Sequence, residues 1–102
     1  MITYPCPLDD RVPVLEIPFG PDSRTHAFCV HTDQEEAVIV IDSTIREKSW
    51  FTSHHLSAIF AHELGHCYVG DEEEDAERWA IERLQELGLT QAAQLLLDRG
   101  IV

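Results

Sequence analysis

Basic residues are scarce in this sequence: lysine and arginine together number seven, and the single lysine is Lys48. Nineteen aspartate and glutamate residues leave a formal net charge of −12. The phosphates of nucleic acids and the surfaces of anionic membranes should repel such a chain. The composition therefore argues against nucleic-acid and membrane partners and favours a basic protein or peptide.

Long apolar runs and a leader pattern are also lacking. No stretch approaches the roughly 18 apolar residues of a membrane span, and the chain does not open with a basic segment followed by an apolar one.

The three cysteines, Cys6, Cys29 and Cys67, form an odd and sparse set. Such a set is typical of reduced thiols rather than of a disulfide scaffold. We therefore expect a cytoplasmic protein.

Proline is absent after residue 21, because all five prolines lie in the first 21 residues. A chain of 102 residues that is 44% hydrophobic is predicted to form one domain, residues 1–102. Its segment 1–26 should be extended, since proline withholds a backbone donor. A short edge strand over 12–19 is compatible with this composition, whereas a central strand is not expected here.

Two strand signals follow the proline-rich segment. Residues 27–32 and 37–42 are rich in β-branched and aromatic side chains, and the polar residues 33–36 between them can form a hairpin loop. The sequence therefore predicts a small antiparallel sheet.

From about residue 52 the apolar residues recur with a helical period. The capping signals are Thr52 or Ser53 for a first helix, Asp71 after Gly70 for a second, and Thr90 after Gly88 for a third. The predicted fold class is α+β, with the sheet packed on the first two helices. We expect residues 27–87 to form the core and residues 88–102 to form a C-terminal helix.

The first predicted helix contains the pattern His-Glu-x-x-His at residues 62–66. Residues four apart lie on one face of a helix, so His62 and His66 can share a metal ion. Glu63 is turned about 100° away from His62, where it can accept a proton as a general base but cannot easily bind the same ion. A scrambled chain of this composition contains the pattern about 4% of the time, so the surrounding sequence has to strengthen the assignment.

The second predicted helix offers a third ligand, which a catalytic zinc requires. On a helical wheel Glu73 and Glu77 lie on the inward stripe together with Ala76 and Ala80. Unpaired buried carboxylates would cost several kcal/mol, so a cation or a histidine is their natural partner. We assign Glu73 as the third ligand and Glu77 as the acceptor for a ligand imidazole N–H. The alternative third ligands are Asp71, Glu72 and Glu74.

These two motifs together resemble the ImmA/IrrE family of small metallopeptidases. Residues 59–66 (Ile-Phe-Ala-His-Glu-Leu-Gly-His) match its active-site helix, and residues 73–80 (Glu-Glu-Asp-Ala-Glu-Arg-Trp-Ala) are similar to its Glu-x-x-Ala-Asn-x-(Phe/Trp)-Ala motif. The likeness covers roughly residues 27–87. Glu77 stands where the family usually has Asn or Asp, and the spacing from His66 to Glu73 is short.

The resemblance implies a minimal zincin-like metallopeptidase, with zinc bound by His62, His66 and Glu73. It implies that Glu63 is the general base for a zinc-activated water that hydrolyses peptide bonds, with regulatory proteins such as repressors among the substrates. The alternative is a non-catalytic, acidic metal-binding or protein-interaction module with the same fold. The residue that stabilises the oxyanion stays open among Tyr4, His26, His31 and Tyr68.

Overall fold

The computed structural model describes residues 2–20, 22–34 and 36–98. The chain divides into two compact units, Met1–Phe51 and Thr52–Val102. Within the described residues, the first unit contains four β-strands and a short 3₁₀ helix, Ser43–Glu47, and the second contains three α-helices. The predicted α+β class is therefore confirmed.

The first unit is built on one four-stranded sheet. Its strands are β1 (Ile2–Cys6), β2 (Asp9–Ile17), β3 (Ala27–His31) and β4 (Ala37–Asp42), in the order β1-β2-β4-β3. The β1–β2 and β3–β4 pairs are antiparallel, but β2 and β4 run parallel. The sheet is thus mixed, and the prediction of a purely antiparallel sheet is wrong. The predicted hairpin of β3 and β4 is confirmed.

The proline-rich segment contains a central strand, contrary to the prediction. β2 pairs with β1 on one side and with β4 on the other. Its pairing with β4 begins at Val14, directly after Pro13, and Pro13 itself faces Pro5 of β1. The residue without a backbone donor therefore lies where β2 has a neighbour on one side only, which is how proline is tolerated in a sheet.

A carboxylate lies on the buried face of β2. Glu16 follows Val12 and Val14 in the alternating pattern and is only 5% exposed. The Arg46 guanidinium donates to both of its oxygens, at 3.2 Å from Nε and 2.8 Å from Nη2, and the Tyr4 hydroxyl donates to one of them. These bonds, led by that of Arg46, hold the pKa of Glu16 below its ordinary value of 4.5 against the opposing effect of burial.

Arg46→Met is expected to destabilise the sheet unit by about 2 kcal/mol at pH 7, because it leaves the buried Glu16 carboxylate without its cation. A carboxyl whose folded pKa is lowered adds stability above its unfolded pKa and loses it as the pH falls. Wild-type stability should therefore decline below about pH 4.5, and the variant should show a flatter acid dependence. Urea unfolding at pH 7, 5 and 3 measures both effects. The exposed Arg24→Met is the control, and equal losses in the two variants would contradict the prediction.

The second unit is a helical unit whose elements are α1 (Ser53–Val69), α2 (Glu73–Glu86) and α3 (Thr90–Leu97). Thr52 caps α1 as expected, because its side chain accepts from the backbone N–H of His55. The predicted cap at Asp71 is wrong: the N-cap of α2 is Glu72, whose side chain makes no capping bond. Part of the predicted C-terminal helix, residues 99–102, lies outside the described residues.

Gly65 lets α1 and α2 approach closely. A Cβ atom built on Gly65 would lie 3.0 Å from the carbonyl carbon and the Cα of Ala76, and closer still to the Ala76 oxygen. Real Cβ atoms do not approach a backbone so closely, so only glycine fits at this crossing. The buried Ala76 and Ala80 complete the small-residue contact on α2. Because Gly65 precedes His66 and Ala76 follows Glu73 by one turn, this contact sets the spacing of the motif residues.

The structure bears on the predictions about membrane spans and about the state of the cysteines. None of the helices in the described residues is both long and apolar enough to cross a membrane. Cys6 is a buried free thiol, whereas Cys29 and Cys67 are disulfide-bonded, so the prediction of reduced thiols is wrong for those two residues.

Candidate metal centre

α1 places the two histidines of the motif one turn apart, with their rings facing each other. The ring centroids of His62 and His66 are 4.8 Å apart, and their Nε2 atoms are separated by 3.2 Å. Both side chains are largely buried, at 18% and 15% exposure. The helical spacing therefore brings two imidazole nitrogens to one point, as predicted.

Glu73, the first residue of α2, closes the group. One of its carboxylate oxygens lies 3.2 Å from Nε2 of His62, and the other lies 3.0 Å from Nε2 of His66. One ligand atom from each residue falls within 4.8 Å of the others, so these three residues can hold a metal ion. The Glu73 side chain is 69% exposed, which leaves the site open to solvent on this side. The alternatives Asp71, Glu72 and Glu74 do not join the group.

The hydrogen bond on the far side of His66 decides which of its nitrogens carries a proton. Nδ1 of His66 lies 2.9 Å from the carbonyl oxygen of Gly70. A carbonyl only accepts, so Nδ1 is the donor, and Nε2 is the ring nitrogen that remains for a metal ion when the ring is neutral. Nε2 of His66 therefore faces the same point as Nε2 of His62 and the Glu73 carboxylate, an arrangement of ligand atoms that fits a metal ion.

The separation between the two imidazole nitrogens also fits a tetrahedral ion. Zinc–nitrogen bonds of about 2.0–2.1 Å place two tetrahedral ligand atoms about 3.3 Å apart. The observed separation of the two Nε2 atoms is 3.2 Å, and each of them has a different oxygen of Glu73 within 3.2 Å. A donor set of two imidazoles and one carboxylate is also one that zinc accepts.

Glu63 is a buried carboxyl beside this group. It is 7% exposed, and burial raises its pKa to about 7. A charge on His66 opposes the rise, and the charge of Glu73 adds to it. Glu63 is not one of the three grouped ligands. It therefore has the placement expected of a proton carrier rather than of a ligand.

The predicted role of Glu77 as a hydrogen-bond acceptor for a ligand imidazole is not met in the structure. His66 donates to Gly70 rather than to Glu77, and Nδ1 of His62 is buried without a hydrogen-bond partner. Burial lowers the pKa of His62, while the charges of Glu73 and the half-buried Glu77 raise it. Glu77 thus acts on His62 through its charge without accepting its proton in this conformation. Among the described residues, the prediction of a hydrogen bond from a ligand imidazole to Glu77 is therefore wrong for both His62 and His66.

Sequence reasoning also missed the Gly70 carbonyl and the role of Gly65. The Gly70 interaction depends on the backbone path after α1, where φ of Gly70 is 104°, and glycine at a helix end was the only sequence signal for it. Among the oxyanion candidates, Tyr68 stacks on Trp79 with ring centroids 5.3 Å apart. The Tyr4 hydroxyl donates to Glu16 in the sheet unit.

Comparison of the chain with family models, with curated proteins and with solved structures finds no match. The relation to the ImmA/IrrE family therefore stays a prediction that rests on the motif residues. What the chain does has to be inferred from the geometry of His62, Glu63, His66 and Glu73.

Proposed function

We propose that this protein is a zinc-dependent metalloendopeptidase. In this proposal His62, His66 and Glu73 bind the zinc ion, and Glu63 is the general base. The observation that carries it is the convergence of two imidazole nitrogens and a carboxylate beside a buried carboxyl whose pKa is raised to about 7. The wider proposal is a minimal zincin-like enzyme of the ImmA/IrrE type that cleaves a basic regulatory protein.

The number of protein ligands favours a catalytic site over a structural one. Structural zinc sites are closed by four protein ligands, whereas catalytic sites use three and leave one position for water or substrate. Three residues form the group, and the exposure of Glu73 leaves room for a substrate to approach. Zinc, when bound, supplies a Lewis acid that polarises a peptide carbonyl and activates water.

Glu63 would carry a proton from the attacking water to the leaving amine. A general base works best when its pKa lies near the working pH, and burial places the Glu63 carboxyl there. Its carboxylate accepts a proton from the attacking water and later delivers it to the nitrogen of the leaving amine. The buried position keeps this proton away from bulk solvent between the two steps.

A zinc titration of the purified protein tests the ligand set. Wild-type protein is expected to bind one zinc ion and to cleave a mixed peptide library, with both properties lost in His66→Ala. Glu73→Gln should weaken zinc binding by about tenfold or more, because the ion loses a charged ligand. The matched control is Glu72→Gln, since the Glu72 side chain makes no capping bond.

Two results would contradict this proposal. Equal zinc affinity in the Glu72 and Glu73 variants would show that Glu73 is not a ligand. Tight zinc binding without cleavage of any library member would identify a non-catalytic metal-binding module instead.

A further inference from the structure

A groove lies between α2 and α3 in the helical unit. Its volume is about 530 Å³, which falls within the range of ligand-binding clefts. The residues that line it are Glu74, Glu77, Arg78, Ile81, Glu82, Leu96 and Leu97. None of these residues is among the three grouped metal ligands.

The groove combines an apolar floor with an acidic rim. Ile81, Leu96 and Leu97 provide the floor, and Leu97 is 53% exposed although it is a large apolar side chain. The glutamates outnumber the one arginine on the rim, and Arg78 already faces Asp75 at 3.9 Å. The exposed leucine and the neighbouring glutamates give this surface the mixed apolar and acidic character that apolar and basic side chains of a partner complement.

The chemistry of the lining specifies the occupant. The apolar floor requires apolar side chains, and the acidic rim requires lysine or arginine beside them. A peptide segment with both, such as an amphipathic basic helix or strand, satisfies the two parts at once. The chain's net charge of −12 would attract such a segment from a distance.

The groove begins next to the metal centre along α2. Glu74 directly follows Glu73, and Glu77 lies one turn further on. With a rise of 1.5 Å per residue, Ile81 is about 12 Å along the helix axis from Glu73. An extended peptide covers that distance in about four residues. A substrate could therefore occupy both places with one continuous segment.

We propose that this groove binds a basic, amphipathic segment of the substrate, a few residues from the bond that is cleaved. The inference rests on the proposed function and adds to it the class of substrate. It assigns recognition to α2 and α3, and it makes Glu82 and Leu97 specificity-determining residues.

Binding of three synthetic 14-residue peptides to metal-free Glu63→Gln protein tests the groove without cleavage. One peptide has leucines four residues apart among lysines, the second has glutamates in place of the lysines, and the third has the composition of the first with its leucines scattered. We expect the first to bind at least tenfold more tightly than the other two, measured by fluorescence anisotropy. Equal binding of the first and third peptides would overturn the proposed role of the groove, because charge alone would then explain the affinity.

Substitutions in the same background locate the binding surface. Glu82→Lys and Leu97→Gln should each weaken the binding of the first peptide by about tenfold or more. Glu86→Lys, one turn beyond Glu82 and outside the groove, makes the same change of charge and should weaken it less than threefold. Equal effects of the two lysine substitutions would overturn the proposal. Self-association that Leu97→Gln abolishes, in the absence of peptide binding, would instead assign the groove to a second copy of the chain.

Cleavage measured with the zinc-loaded wild-type background separates this inference from the proposed function. If Glu82→Lys raises KM for the basic peptide at least tenfold and leaves kcat unchanged, both stand. If the peptide binds in the groove but is never cleaved, the proposed function fails and the groove remains a protein-binding surface. If cleavage is insensitive to Glu82→Lys and Leu97→Gln, the function stands and the groove inference fails.

Discussion

Glu63→Gln is expected to lower the rate of peptide hydrolysis by about 10²–10⁴-fold while zinc binding is kept, because the amide cannot carry a proton. The substitution preserves the size of the side chain and touches none of the three grouped ligands. Measurements of kcat/KM and of bound zinc on the same preparation check the two halves of the result. Cleavage within threefold of wild type would rule out Glu63 as the general base.

The stability of the metal-free variant provides an internal control for its fold. Burial raises the folded pKa of Glu63 from 4.5 to about 7. A carboxyl with a raised folded pKa stabilises the fold below its unfolded pKa, and this contribution is lost as the pH rises through about 7. Wild-type protein should therefore lose stability between pH 5 and pH 8 relative to Glu63→Gln. Urea unfolding at these two pH values measures the difference, and a variant that is less stable at pH 8 would show that the substitution damages the fold.

Gly65→Ala is expected to destabilise the helical unit by about 1–3 kcal/mol, which reverses the usual effect of this substitution in a helix. Alanine in place of glycine normally stabilises a helix by about 1 kcal/mol. Here the new Cβ would overlap the backbone of Ala76, which cannot be relieved by a change of rotamer. The helices have to separate, and Glu73 would move with α2 away from His62 and His66.

Zinc affinity is the second measurement for this variant. We expect Gly65→Ala to lower it by about tenfold or more at a temperature where the unit is still folded, because ligand atoms displaced by a few tenths of an ångström lose tetrahedral geometry. The control is His54→Ala, an exposed position in the first turn of α1, which should change stability by less than about 0.5 kcal/mol. A stabilised Gly65→Ala variant with unchanged zinc affinity would contradict the role of the helix crossing.

The local elements of the fold could be predicted because their signals lie within a few residues. The cap at Thr52 and the stop at Gly70 specify that helix closely. The parallel pairing of β2 with β4 could not be predicted, because it joins residues such as Val14 and Ile39 across a long intervening segment. Proline content was also misleading, since the whole segment was treated alike although only the residues after Pro13 pair on both sides.

In the candidate site, too, the features with a local sequence signal could be predicted and the others could not. His62 and His66 could be predicted as a pair because helical periodicity brings them to one side of α1, and Glu73 because it lies on the inward stripe of α2. The proton partner of His66 could not, since a backbone carbonyl carries no residue-specific signal. The conformation of the turn 70–72 decided both that partner and the true cap of α2.

All three grouped residues lie within a segment of twelve residues, 62–73. The entropic cost of closing a loop rises with the length of the loop. An ion that joins these side chains closes a short loop, so this cost is small. Contacts so local in sequence form quickly and do not require the sheet to fold first. Such an ion would also bind partly ordered forms of this helical hairpin. Zinc should therefore raise the overall unfolding free energy by less than its affinity for the native protein implies, because the unfolded ensemble competes for it.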